Sequence, residues 1–513
     1  MSPLQLSVYW RLSLVFFFSS FLFFLDVFVA AIVEASCGHG NGTEDDTGTS
    51  SAPPNAGANQ SRPSEVSVSR NRESVCEWTD WLAYSQTLYM VGLLLGSLVG
   101  GALSDRYGKR TVLLVSVYLQ AVCGLVPAVL PQPLLYIAVR CVTGVCWCCI
   151  NICSFSLAVE WARPAARLWA TAFLMFCFSL GTMGGAPLAW LSPTWRRLHL
   201  SMAVPQLVCL PLYLSIPESP RWLLLKTRTE VLDRYRRNSP ADKQCVDLLL
   251  ESDLQKSTEA QKEEPSEGHA PSDIIHLRHP TVLLRLFVMS YLSAVSAMTY
   301  FGICMNIGSF GVDVYSAQFF SGLSEAPCFL VPLVRLGRRP ISMLAFFLSG
   351  AACFLSLLLS RYNGEPVVVM SLALLGKLCI LAAVCISTLY SIELFPTVVR
   401  QRCMSLVNLS FRLGCLANSL VPSTPNGTIS LAAMVVYSSA PIVGCGLCLL
   451  LPETSSVPLP DSVEDCDRQP RLRPPSMVAL WRTWKLVSSQ TRKTETLPAE
   501  KDDTHTGLTH TLD

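Results

Sequence analysis

The chain has 513 residues, of which 51% are apolar and 15% charged, with a formal net charge of +2 at pH 7. A balance so near neutral gives no electrostatic footprint for nucleic acid. A soluble chain of several domains would not gather its apolar residues into blocks of about twenty, the length that a bilayer crossing requires.

The first block runs from 12 to 33 and is interrupted only by Asp26. Its core exceeds the roughly 7 to 15 residues of a cleaved signal peptide, so it reads as a retained helix. A polar loop over 34–82, rich in Ser, Asn, Gly and Pro, carries Asn41 and Asn59 in glycosylation sequons, together with Cys37 and Cys76. On an oxidising, extracellular side those two cysteines would be free to form a disulfide. Further apolar blocks at 84–103, 111–130, 134–158, 168–190 and 198–216 complete six predicted helices and an N-terminal half over 1–216. Most of the 21 cysteines lie inside apolar blocks. Cys146, Cys148, Cys149 and Cys153 point in several directions around one helix, which suits packing better than a metal site.

A charged segment follows over 217–281, its stretch 251–272 without periodicity and expected to be disordered. Blocks at 282–303, 311–333, 340–360, 366–390, 404–424 and 429–451 make a second half over 282–451, with a third sequon at Asn426. The prediction is an all-α membrane protein of twelve transmembrane helices in two six-helix pseudo-repeats. In the tail, 452–513, Met477, Leu480, Trp481, Trp484 and Val487 form a helical stripe beside Arg482 and Lys485, as in an interfacial helix. Lys and Arg number ten in 217–281 and two or three in each of the other even-numbered loops, which predicts cytoplasmic termini.

The most informative turn spans Ser97 to Arg110, with Asp105, Arg106, Lys109 and Arg110 around Gly108. It is not a phosphate-binding loop, because six residues rather than four separate Gly101 from Gly108, and Arg110 stands where Ser or Thr would hold a metal. It fits the pattern Gly-x-x-x-Asp-Arg-x-Gly-Lys/Arg-Arg, and in this the chain resembles the major facilitator superfamily. A weakened copy recurs as Arg335-Leu336-Gly337-Arg338-Arg339, with Val334 at the place of the Asp. Two copies in corresponding positions fit an architecture of two related halves.

Four further segments narrow the resemblance to the organic cation, anion and zwitterion transporters of solute carrier family 22. They are Glu160-Trp161-Ala162-Arg163-Pro164, Pro217-Glu218-Ser219-Pro220-Arg221-Trp222, Tyr300-Phe301-Gly302, and the run from Glu393 to Gln401. Leu451-Pro452-Glu453-Thr454 closes the set. The resemblance implies a solute transporter of the plasma membrane, with a small organic ion as its partner and neither a cofactor nor enzymatic activity.

Intramembrane charges mark candidate site residues, since each costs about 2.5–3.5 kcal/mol at a helix centre. Lys377 and Arg412 both lie near mid-depth, and Ser405, Asn408, Arg412, Cys415 and Ser419 share one helical face. The resemblance implies organic-anion members, whose basic residues match Lys377 and Arg412, although the Lys those members often carry two residues after the Pro of helix 8 is Phe329 here. Arg412 has two readings: a two-pronged contact to substrate, or internal pairing with Asp26, Asp313 or Glu325. Lys377 likewise has a substrate and a structural reading. Tyr300 and Phe301 match cavity-lining aromatics of the family, and Asn306 offers a hydrogen bond to substrate or to another helix. Asp105, Arg106, Arg110, Glu160, Arg163, Glu218, Arg221, Glu393 and Arg400 form a candidate cytoplasmic gate whose ion pairs close the inner mouth. Together these features predict alternating-access transport of small amphipathic organic anions by uniport or exchange. A receptor-like, non-transporting protein on the same fold is the alternative.

Overall fold

The structure, a computed structural model, describes residues 2–38, 78–130, 132–162, 167–226, 229–248, 279–307, 312–333, 337–362, 364–396, 399–419, 431–454 and 466. Asn41, Asn59, Asn426, Cys76, Arg163, Val334, the stretch 251–272 and the tail stripe lie outside these residues, so the Cys37–Cys76 pairing does too.

Among the described residues, each of the twelve apolar runs contains helix. In the first half these are α1 (Pro3–Phe23) and α2 (Leu25–Gly38), which share one run, then α3 (Trp78–Tyr107), α4 (Lys109–Val129), α5 (Pro133–Glu160), α6 (Arg167–Trp190), α7 (Trp195–Val208) and α8 (Leu210–Tyr213). Two short helices follow, α9 (Pro220–Leu225) and α10 (Thr229–Asn238). The second half contains α11 (Pro280–Met305), α12 (Val314–Glu325), a 3₁₀ segment (Ala326–Leu333), α13 (Arg338–Arg361), α14 (Pro366–Leu394), α15 (Arg400–Ser419) and α16 (Leu431–Cys448). Among the described residues, eight helical spans are individually long and apolar enough to cross a membrane.

Local chemistry sets the boundaries. Ser2 and Gln5 form a reciprocal capping box at the start of α1, with Pro3 at its first position. Proline likewise opens α5, α9, α11 and α14, where its missing N–H costs nothing. The helices reach further into the first loop than the polar composition of 34–82 suggests, to Gly38 on one side and from Trp78 on the other. The eighth run changes from α to 3₁₀ at Ala326, where Pro327 removes the donor that an α-helix would direct to Leu323.

The first run is also broken, at Phe24. The carbonyl of Leu22, which would accept from the N–H of Asp26 in a continuous helix, takes Arg140 Nη1 at 3.0 Å instead. A side chain inserted into the backbone ladder is a recognised cause of such kinks.

Within each half, α3 packs on α5 and α13 on α14; between the halves, α6 packs on α12 and its 3₁₀ extension, and α3 on α15. Gly322 makes the α6–α12 approach possible: a Cβ there would lie 2.9 Å from Met183 N and 3.0 Å from Ser179 O.

Candidate functional site

Two polar clusters flank the interface between the halves. The first is centred on Arg412 of α15. The three carboxylates that could neutralise it are engaged elsewhere. Asp26 meets Arg140, with Nη2 at 2.6 Å and Nε at 3.1 Å, and accepts the Tyr136 hydroxyl at 2.7 Å. Asp313 caps α12 through Ser316 N. Glu325 pairs with Lys377. Among the described residues Arg412 makes no ion pair, and it lies within electrostatic reach of Tyr89 on α3 and Cys148 on α5. The Tyr89 ring is covered by Arg140 at 4.5 Å, while its buried hydroxyl has no hydrogen-bond partner among the described residues. Arg412 and Tyr89 thus lie on the two helices of the α3–α15 contact.

The second cluster is centred on Lys377 of α14, which is fully buried. Its ammonium lies 2.6 Å from Glu325 Oε1, donates to the Ser321 hydroxyl, and stands 5.2 Å from the centre of the Tyr300 ring. The Tyr300 hydroxyl donates to the same Glu325 oxygen at 2.8 Å. Lys377 thus takes the structural pairing in this conformation.

Aromatic rings connect the two clusters. Tyr89 meets Phe23 at 5.8 Å, Phe23 meets Phe301 across the halves at 5.9 Å, and Phe301 meets Tyr300 at 5.3 Å. Trp147 and Phe178 pack on Phe23 from the first half, at 5.3 and 5.5 Å. Tyr300 and Phe301 are thus brought together with the polar clusters, and such faces suit the apolar body of an amphipathic ion. Asn306 donates to the Gly302 carbonyl at 2.8 Å at the end of its own helix, and Asn408 is exposed on α15.

The charged turns form a third set at one rim, and its contacts repeat in the two halves. Glu218 accepts the backbone N–H of Arg110 at 3.1 Å, while Glu160 holds both Lys109 and the Ser219 hydroxyl. In the second half Glu453 accepts the backbone N–H groups of Arg338 and Arg339 at 2.8 and 3.1 Å, while Glu393 pairs with Arg338 at 3.3 Å and accepts the Thr454 hydroxyl at 2.6 Å. The turn at Gly108 has φ +93, and a Cβ there would lie 2.6 Å from the Glu218 carboxylate. Its counterpart Gly337 faces Glu453 in the same way, at 2.7 Å.

These pairs join elements within a half. Asp105 is exposed and accepts the Trp222 indole N–H at its carbonyl, Arg106 stacks on Tyr107, Arg110 reaches the Leu214 carbonyl, and Arg221 is exposed. Arg400 meets the Phe395 carbonyl at 3.1 Å. Sequence reasoning did not single out Lys109, Arg338, Arg339 or Glu453 as members of this set, although the repeated Gly-Lys/Arg-Arg and Pro-Glu-Ser/Thr triplets were there to pair. It also passed over Arg140, which the cost of a buried charge marks as clearly as it marks Arg412.

The family profile described as Major Facilitator Superfamily matches residues 77–419. The chain is 32% identical over 408 residues to solute carrier family 22 member 13 of Homo sapiens, covering 79% of this chain and 72% of that protein. It is 31% identical over 405 residues to solute carrier family 22 member 6 of Rattus norvegicus, covering 77% and 72%. The xylose transporter XylE from E. coli in its inward-open conformation shares the fold, with a TM-score of 0.60 at 17% identity over 90% of this chain and 99% of that one. Twelve helical runs, braces repeated in two halves and these matches lead to one conclusion: the chain belongs to the major facilitator superfamily and, within it, to solute carrier family 22.

Proposed function

We propose that this solute carrier moves small amphipathic organic anions across the plasma membrane by alternating access, as a uniporter or an anion exchanger. The observation that carries this reading is Arg412, which makes no ion pair among the described residues, within electrostatic reach of Tyr89, whose buried hydroxyl has no partner among them and whose ring ends a row of aromatic rings. A carboxylate or sulfate would take a two-pronged hydrogen bond from the guanidinium and a third from the phenol, while its apolar body lies along Phe23 and Phe301. The braced turns at the rim act as two rigid units that rock against each other, and Asp105, Arg106 and Arg221, exposed in this conformation, are the charges available to the closed inner mouth.

Uptake of labelled organic anions, cations and zwitterions into cells expressing the chain, with surface abundance measured in parallel, tests the reading. Saturable anion uptake accelerated by anion on the opposite side is the expected result; a well-expressed chain that takes up no anion overturns it. Arg412→Ala is expected to raise the half-saturating anion concentration by ten- to a hundredfold, corresponding to about 1.5–3 kcal/mol for charge-assisted hydrogen bonds, without loss from the surface. Unchanged uptake kinetics would remove Arg412 from the substrate site.

We further propose cytoplasmic termini, supported by the ten Lys and Arg residues of 217–281. A tag inserted at residue 260 should then stain only after permeabilisation. Staining of intact cells would invert the topology.

A further inference from the structure

The start of α11 carries a buried guanidinium that the transport reading does not use. Arg285, 4% exposed, donates from Nη1 to the Leu394 carbonyl at the end of α14, at 2.9 Å, and from Nη2 to the Cys466 carbonyl, at 2.6 Å. Cys466 lies well beyond the end of α16 at Cys448, yet it is only 1% exposed. It is within electrostatic reach of Cys403, itself fully buried in the first turn of α15. The tail at Cys466 is thus seated beside α11, α14 and α15.

The first half shows a matching arrangement. There Gln5 of α1 donates to the Trp161 carbonyl at 2.8 Å, and Trp161 follows Glu160 as Leu394 follows Glu393, both glutamates belonging to the rim. The backbone N–H of Leu4 donates to Asp242 at 3.1 Å, a buried residue that lies beyond the last membrane helix of that half. Each half therefore ties the start of its first helix to the carbonyl after a rim glutamate and to a segment that follows its last helix. Different side chains make the contacts, so the repeat is one of position.

Charge favours the seat in the second half as well. Four of the seven residues 461–467 are acidic, whereas Arg285 and, at the start of α15, Arg400 and Arg402 are basic. Nη2 of Arg400 is buried without a hydrogen-bond partner among the described residues. A buried cation is costly unless its donors are taken.

We propose that the rim of the second half holds a docking seat, built by Arg285 and Cys403 beside the end of α14, whose occupant is the short acidic tail segment around Cys466. The occupant fastens the start of α11 to α14 and α15, as Gln5 and Asp242 fasten α1 in the first half. The packed unit of the second half then extends to Cys466, and the residues after 470 are dispensable to it.

The test uses the purified chain, so its outcome does not depend on whether transport follows. A chain ended after residue 470 is expected to melt with the parent. One ended after residue 456 is expected to melt about 2 °C lower or more, because Arg285 loses an acceptor. A peptide of residues 459–470 should restore the melting temperature of this shortened chain, and a scrambled peptide of the same composition should not. The shortened chain carrying Arg285→Met should respond to neither.

A shortened chain that melts with the parent, or that responds equally to both peptides, would overturn the proposal; so would a response that survives Arg285→Met. Hydrogen exchange on the intact chain decides the matter where the shortened one does not fold. Amides in the fragment that contains Cys466 are expected to exchange about tenfold faster or more in Arg285→Met than in the parent. Equal rates in the two would leave the seat without an occupant and refute it.

Discussion

Replacing Arg140 by methionine is expected to destabilise the protein by about 3–5 kcal/mol, the cost of breaking a buried ion pair from one side. The variant leaves Asp26 buried without its two guanidinium contacts at 2.6 and 3.1 Å. It also frees the Leu22 carbonyl at the break between α1 and α2 and uncovers the Tyr89 ring. Phe23, beside the break, links Tyr89 to Phe301 in the aromatic row, so the damage should reach the proposed substrate site as well as the fold. Thermal unfolding of the purified chain and surface abundance in cells read the effect. Adding Asp26→Asn should recover most of the loss, because the stranded charge is then gone. A melting temperature for Arg140→Met equal to that of the parent would mean that the pair contributes nothing.

Removing either rim carboxylate is expected to have the next largest effect. Glu218→Ala deprives Arg110 and Ser219 of the acceptor for their backbone N–H groups, at 3.1 and 3.0 Å, and Glu453→Ala does the same to Arg338 and Arg339. Hydrogen bonds to a charged acceptor are worth about 1.5–3 kcal/mol each, so each variant loses about 3 kcal/mol or more. Because these braces lie far from the aromatic row, maximal uptake should fall while the half-saturating concentration stays near that of the parent. The two variants should resemble each other, since the contacts are repeated. A variant with parental rate and stability would show that its brace is dispensable.

The elements were legible in the sequence because the bilayer imposes a strong, local rule: about twenty apolar residues per crossing, with charges confined to the ends. Arg412 stands out as a candidate for a related reason, a costly charge inside an apolar run, whereas Tyr300 and Phe301 are marked only by the family resemblance. Helix interruptions were harder to read. The 3₁₀ change after Glu325 has Pro327 as its sign, but the break at Phe24 has no proline or glycine beside it and depends on Arg140, far along the chain.

By itself, then, the sequence determined the all-α membrane fold and the twelve apolar runs, and it marked Lys377 and Arg412 as charges inside such runs. Tertiary structure alone decided which charges remain available. Asp26, Asp313 and Glu325 were all acceptable partners for Arg412 until packing brought Asp26 to Arg140, set Asp313 at a helix start and enclosed Glu325 with Lys377. The same holds at the rim, where, among the described residues, acids and bases pair within each half rather than between halves in this conformation. Periodicity is a property of neighbouring residues and can be read along the chain. Pairing of buried charges is a matter of a few ångströms between distant residues, and only the packed helices determine it.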